Sequence, residues 1–157
     1  MITISDETVG VGEKAKEVGL SDQWENDVSL NDFQDKKVLL SFHPLAWTSV
    51  CRKQMESLEE NYEKFEKLNT VPLGLSVDPL PSKKAWADDM ELENLKILSD
   101  FWPHGKVAKE YGIFDEEKGT SKRANFVIDE EKNVTFVEIY PISEVPDLEG
   151  VFEFLEE

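Results

Sequence analysis

One residue of this chain, Cys51, has the side chain needed for thiol chemistry. Cys51 is the single cysteine among 157 residues, and Pro44 and Thr48 precede it in Pro44-Leu45-Ala46-Trp47-Thr48-Ser49-Val50-Cys51. Arg123 stands far downstream, at the entry to an apolar run, in a chain that has only one other arginine, Arg52, among 17 basic residues. A surface built from lysine has no need of arginine, so Arg123 points to a place where a planar, fixed fork of donors is required. One cysteine excludes an intrachain disulfide, a Cys-x-x-Cys redox pair (position 54 is Gln54) and a cysteine-based metal cluster.

The elements around Cys51 set its chemistry. Val38 to Phe42 is an apolar run of strand length, bounded by Asp35-Lys36-Lys37 and Pro44, as expected of a strand buried inside a sheet. From Cys51 the apolar positions Met55, Leu58, Tyr62, Phe65 and Leu68 recur at helical spacing, so one amphipathic helix is predicted through Leu68. Thr48 and Ser49 are candidate caps, which places Cys51 in the first turn. A helix N-terminus carries about half a positive charge and unpaired N–H donors, conditions that favour a thiolate. Spacing alone leaves two readings open, a reactive thiolate and a small buried hydrophobe.

The pattern Pro-x-x-x-Thr-x-x-Cys, after an apolar strand and before a helix, resembles the peroxiredoxins, thiol peroxidases on a thioredoxin-like scaffold. A second motif in the right order, Ser121-Lys122-Arg123-Ala124-Asn125-Phe126-Val127-Ile128, is similar to the family's segment in which an arginine precedes a strand. The family's common Ala-Pro-x-Phe near the N-terminus is replaced by Ala15-Lys16-Glu17-Val18. The resemblance implies Cys51 as peroxidatic nucleophile, with Thr48, Arg123 and Pro44 completing the catalytic set. His43 is expected as a wall of the substrate pocket rather than a general base, and Trp47 as a border of its entrance. A Cys–His hydrolase, the other enzyme class considered, would need His43 or His104.

The remaining order of apolar runs predicts an α/β protein of thioredoxin-like fold: a central mixed sheet flanked by helices, with small extension strands in residues 9–35. Further strands are predicted over Thr70–Val77, Leu95–Leu98, Asn125–Ile128 and Val134–Ile139. Helices are predicted from Ser82 to about Asp89, from His104 to Tyr111 and from about Val145 to Leu155. A length of 157 residues suits one domain, 1–157. Met1 to Asp6 is too short and acidic for a signal peptide and no run reaches the ~18 apolar residues of a membrane span, so a soluble, cytoplasmic protein is expected.

The formal net charge of −17, from 34 acidic residues, argues against nucleic acid as a partner. The dispersed acidity reads as a highly soluble surface or as adaptation to salt. No cofactor and no metal are expected, since two histidines without paired carboxylates do not make a metal site.

The resemblance also frames the mechanism. Moving a thiol pKa from about 8.5 to about 6 raises the thiolate fraction at pH 7 only about thirtyfold, whereas enzymes supply about a millionfold or more. Most of the rate therefore has to come from orienting a peroxide and stabilising charge as its O–O bond breaks. The family's second cysteine has no counterpart here, position 56 being Glu56. The sulfenic acid on Cys51 then needs an external reductant: thioredoxin, a glutaredoxin-like protein or a small thiol. A homodimer is implied by the resemblance. A peroxide sensor or a redox-regulated chaperone would use the same fold.

Overall fold

A computed structural model describes residues 7–157; the segment Met1 to Asp6, read above as unlike a signal peptide, lies outside the described residues. In chain order the elements are β1 (Leu20–Asp22), β2 (Asp27–Val28), β3 (Lys37–Phe42), α1 (Ser49–Glu60), α2 (Tyr62–Lys67), β4 (Thr70–Ser76), α3 (Leu80–Asp89), β5 (Lys96–Ser99), α4 (Lys106–Glu110), β6 (Phe114–Asp115), β7 (Thr120–Ser121), β8 (Arg123–Ile128), β9 (Val134–Tyr140) and α5 (Leu148–Leu155). Seven strands form a mixed sheet in the order β2-β1-β5-β4-β3-β8-β9. Strands β3, β4 and β5 run parallel, while β8 pairs antiparallel with both β3 and β9.

Successive side chains of a strand point to opposite faces, and β3 uses both. Val38, Leu40 and Phe42 pack into one apolar layer with Phe126 and Tyr111. Leu39 points the other way, into a layer with Met55, Leu58, Phe65, Trp86, Val127 and Phe152 that α1, α2, α3 and α5 cover. The same parity places Ser41 and His43 on the helix-covered face, and Asn125 and Arg123 of β8 share it, since Leu39 pairs with Val127 and Ser41 with Asn125. Helix α1 lies close to the sheet at Gly74 of β4, where any Cβ would collide with the sulfur of Met55.

The single helix expected through Leu68 is two. Asn61 interrupts it with φ −101° and ψ 13°, and its side-chain amide donates to the Ser57 carbonyl at 2.8 Å. A short amide side chain competes with the backbone for helical hydrogen bonds, and the break turns α2 so that Phe65 meets Phe152 with ring centroids 4.7 Å apart. Other boundaries also moved. Helix α3 starts at Leu80 rather than Ser82, with Pro81 in its first turn, where the missing N–H costs no bond. Strand β8 takes in Arg123, which the sequence placed just ahead of it. The small hairpin of β6 and β7 was not foreseen.

Candidate active site

The loop after β3 carries Pro44 to Thr48 across the C-terminal end of the parallel strands, and three contacts pin it. The Ala46 N–H donates to Asp78 Oδ2 at 2.8 Å, Trp47 Nε1 donates to Ser82 Oγ at 3.2 Å, and Thr48 Oγ1 donates to the Leu45 carbonyl at 2.8 Å. Trp47 has φ 67°, an uncommon left-handed conformation for a bulky residue, of a kind that persists where surrounding contacts over-determine it.

Thr48 holds the N-cap position of α1, with its carbonyl accepting from the Arg52 N–H at 2.9 Å. Its hydroxyl does not cap the helix but turns back to Leu45. The lone pairs of Thr48 Oγ1 are therefore left to accept from another donor, and the first N–H groups of α1 keep no side-chain cap.

Cys51 occupies the third residue of α1 and is 1% exposed. Arg123 reaches it from β8: Nη1 lies 3.3 Å from Cys51 Sγ and 2.7 Å from Gln54 Oε1, while Nη2 donates to the Ile142 carbonyl at 2.7 Å. Arg123 is itself 2% exposed, so this fork is fixed inside the protein. A guanidinium hydrogen bond to sulfur is charge-assisted when the sulfur is a thiolate.

A cleft of about 420 Å³ opens above the sulfur, within the size range of small-molecule sites. Pro44, Thr48, Cys51 and Arg123 all line it, together with Val50, Thr120 and Ile142. The fold thus gathers all four residues singled out by the two motifs around one opening.

His43 and Trp47 do not join them. The expected pocket wall at His43 is absent because the parity of β3 sends this side chain under the helices, where it is fully buried against Trp86 with ring centroids 5.4 Å apart. Trp47 is 52% exposed but leans toward α3 through its bond to Ser82, outside the lining of the cleft. His43 Nε2 lies 2.9 Å from Nζ of Lys83, so it is not free to act as a base on Cys51. Burial, with Lys83 and Arg123 nearby, holds His43 well below its ordinary value, and the ring is neutral. The other histidine, His104, bonds the Gly119 carbonyl at 2.7 Å. Neither supports a Cys–His hydrolase, and among the described residues no cluster of histidines, cysteines and carboxylates could hold a metal ion.

Gln54 is a site residue that the sequence reading used only to exclude a second cysteine. Its Nε2 donates to Ser41 Oγ at 2.8 Å and to the Phe42 carbonyl at 3.2 Å, while its Oε1 accepts from Arg123. The signal was present: Gln54 is a polar residue three positions after Cys51, on the stripe that α1 buries.

The geometry agrees with what comparison to known proteins shows. A family model described as the AhpC/TSA family matches residues 11–137. Alkyl hydroperoxide reductase E of Mycobacterium tuberculosis is 37% identical over 140 residues, covering 88% of this chain and 91% of that protein. A thiol peroxidase of Streptococcus agalactiae is 31% identical over 137 residues, covering 87% and 82%. Among solved structures, AhpC of Enterococcus faecalis superposes with a TM-score of 0.85 at 26% identity, covering 93% of this chain and 90% of that one. The fold is thioredoxin-like, and with its two motifs meeting at one sulfur the chain belongs to the AhpC/TSA family of peroxiredoxins, with the lone cysteine of the one-cysteine type.

Proposed function

We propose that the protein is a thiol-dependent peroxidase that reduces hydrogen peroxide, organic hydroperoxides or both through Cys51. The observation that carries this reading is the hydrogen bond from Arg123 Nη1 to Cys51 Sγ at the floor of an open cleft. A buried hydrophobic cysteine has no use for a guanidinium and no cleft above it.

The peroxide enters beside Pro44, whose ring shields the sulfur from bulk water. Thr48 Oγ1, its own proton committed to Leu45, accepts the O–H of the peroxide and aligns the O–O bond with the sulfur. The Cys51 thiolate attacks the terminal oxygen, an S–O bond forms and the O–O bond breaks. The departing oxygen leaves as an alkoxide or hydroxide that takes up a proton to become an alcohol or water. Arg123 and the N–H groups at the start of α1 stabilise the charge that passes from sulfur to this oxygen.

The cycle closes when an external thiol condenses with the sulfenic acid, releasing water and forming a mixed disulfide, and a second thiol reduces that disulfide. Thioredoxin, a glutaredoxin-like protein and a small thiol are the reductants proposed, in a cytoplasmic setting where a lone thiol stays reduced. Among the described residues no helix is long and apolar enough to cross a membrane. A homodimer is carried over from the family as part of the proposal.

Intact mass spectrometry tests the reading. One equivalent of peroxide without thiol should add one oxygen at Cys51 and make the protein reactive toward a sulfenic acid trap, and excess peroxide should add two or three. A covalent dimer through two Cys51 residues, formed as fast as peroxide is consumed, would contradict it.

A further inference from the structure

One side of the cleft comes from a hairpin that the proposed reaction leaves unused. Lys118 and Thr120, from the β6–β7 turn and the start of β7, line the cleft with Leu45, Val50 and Ile142. Thr48, Cys51 and Arg123 are enough to hold the two oxygens of a peroxide, and two oxygens fill little of about 420 Å³. The remaining space is left for whatever those oxygens carry.

The main sheet does not hold this hairpin. Strands β6 and β7 pair with each other, Phe114 with Ser121 and Asp115 with Thr120, in a sheet of their own, and two strands alone are marginally stable in water. The stem is fastened, since Ser121 Oγ donates to the His43 carbonyl at 3.2 Å and the Lys122 N–H to the Ile113 carbonyl at 2.8 Å. The turn folds on itself: Asp115 Oδ1 accepts from the N–H groups of Glu117 and Lys118 at 3.0 and 3.2 Å, and the Gly119 N–H donates to the Asp115 carbonyl at 2.8 Å.

A tie from the turn to the rest of the molecule comes from His104, ahead of α4, whose Nε2 lies 2.7 Å from the Gly119 carbonyl. A carbonyl accepts, so Nε2 carries the proton and donates whether the ring is neutral or charged. The half-buried imidazole stands edge-on to Phe114 of β6 at 5.9 Å and to Phe101 at 6.1 Å. Beside it Gly105, at φ 68°, makes room for the Phe114 ring, with which any Cβ there would collide. The carbonyl that His104 grips belongs to the residue between Lys118 and Thr120, both of the cleft.

We propose that His104 is a positioning residue that sets which peroxides the cleft favours: its hydrogen bond to Gly119 fixes the β6–β7 turn, and with it Thr120 and Lys118, as the wall on which the organic part of a hydroperoxide rests. Hydrogen peroxide has no group to reach that wall. An organic hydroperoxide does, and one apolar contact in a pocket is worth about 10- to 200-fold in discrimination.

The proposal rests on the peroxidase reading, and its test is a ratio of two rates. Stopped-flow measurement gives the second-order rate constants for oxidation of Cys51 by cumene hydroperoxide and by hydrogen peroxide. His104→Phe keeps the ring contacts and removes the donor, and should lower the ratio of the first to the second by about tenfold, with the hydrogen peroxide rate near wild type. His104→Gln restores a donor and should return the ratio most of the way. If His104→Phe folds poorly, Phe114→Leu, which loosens the same seam, should lower the ratio in its place. A ratio unchanged or raised, both rates falling together, or His104→Gln as impaired as His104→Phe would make His104 a structural residue and overturn the proposal. Failure of the peroxidase reading would appear separately, as neither peroxide oxidising Cys51 in the wild-type protein.

Discussion

Gln54 and Arg123 are joined by a 2.7 Å hydrogen bond between two buried side chains, and the arginine nitrogen that makes it, Nη1, is the one that also reaches Cys51 Sγ. Gln54 is held in turn by Ser41 and Phe42 of β3. The aim of the guanidinium is therefore set by the sheet, through one side chain. Gln54→Met keeps the volume and removes the acceptor. It should slow oxidation by hydrogen peroxide about tenfold and cost about 1.5–3 kcal/mol, the range of a hydrogen bond to a charged group. Stopped-flow oxidation and urea unfolding measure the two effects, and an unchanged rate would assign Gln54 to packing alone.

Arg123→Lys keeps the charge and loses the fork. The sequence by itself suggests that this change leaves stability nearly intact, but the structure predicts otherwise, because Gln54 Oε1 and the Ile142 carbonyl both depend on Arg123. The expected outcome is oxidation slowed well over tenfold together with a loss of about 1–3 kcal/mol, the cost of leaving one buried acceptor, Gln54 Oε1, unpaired. The second-order rate constant with hydrogen peroxide and the unfolding free energy are the readouts.

Thr48 is expected to act as an acceptor whose proton is parked on Leu45. Thr48→Val keeps the shape and removes the oxygen, and should lower the oxidation rate by about 100-fold, the scale for losing one group that orients the transition state. Thr48→Ser retains the oxygen and should retain most of the rate. Equal rates in the Val and Ser variants would remove Thr48 from the mechanism.

Stability should depend on pH through Lys83. Its folded value of about 7 lies below the ordinary 10.5, so between these the unfolded chain binds a proton that the folded chain does not. On this account stability rises with pH from about 7 to 10.5, and the penalty for burying the charge is complete below 7. His43, also held below its ordinary value, adds to the loss of stability as pH falls below 6.5. Tyr111 and Tyr140, raised by burial, act in the opposite direction above pH 10. Urea unfolding from pH 6 to 10 should show an upward slope that flattens in Lys83→Met.

The positions of Cys51, Thr48, Pro44 and Arg123 were readable because each lies where a local pattern changes: a strand ending, a helix starting, an arginine in a lysine-rich chain. Their meeting at one cleft follows from the order of strands, with β8 beside β3. The errors have local causes. His43 was assigned to the cleft because it adjoins the motif, but strand parity, which runs through Leu39 and Ser41, sends it to the helix-covered face. Lys83 gave no signal at all, since a Lys-Lys pair near the start of a helix reads as solvated surface and nothing local reveals that one of the two is fully buried. The helix break at Asn61 was masked by the apolar spacing, which continues through it.

The central claim is that one sulfur does the chemistry and that its reduction comes from outside. Peroxide consumption in the presence of a thiol reductant, measured side by side for the wild-type protein and a folded Cys51→Ser variant, tests it most directly. The prediction is steady turnover in the wild type and consumption no faster than the reductant alone in Cys51→Ser, whose serine has nearly the same shape and no accessible anion. Turnover in Cys51→Ser matching the wild type would contradict the account.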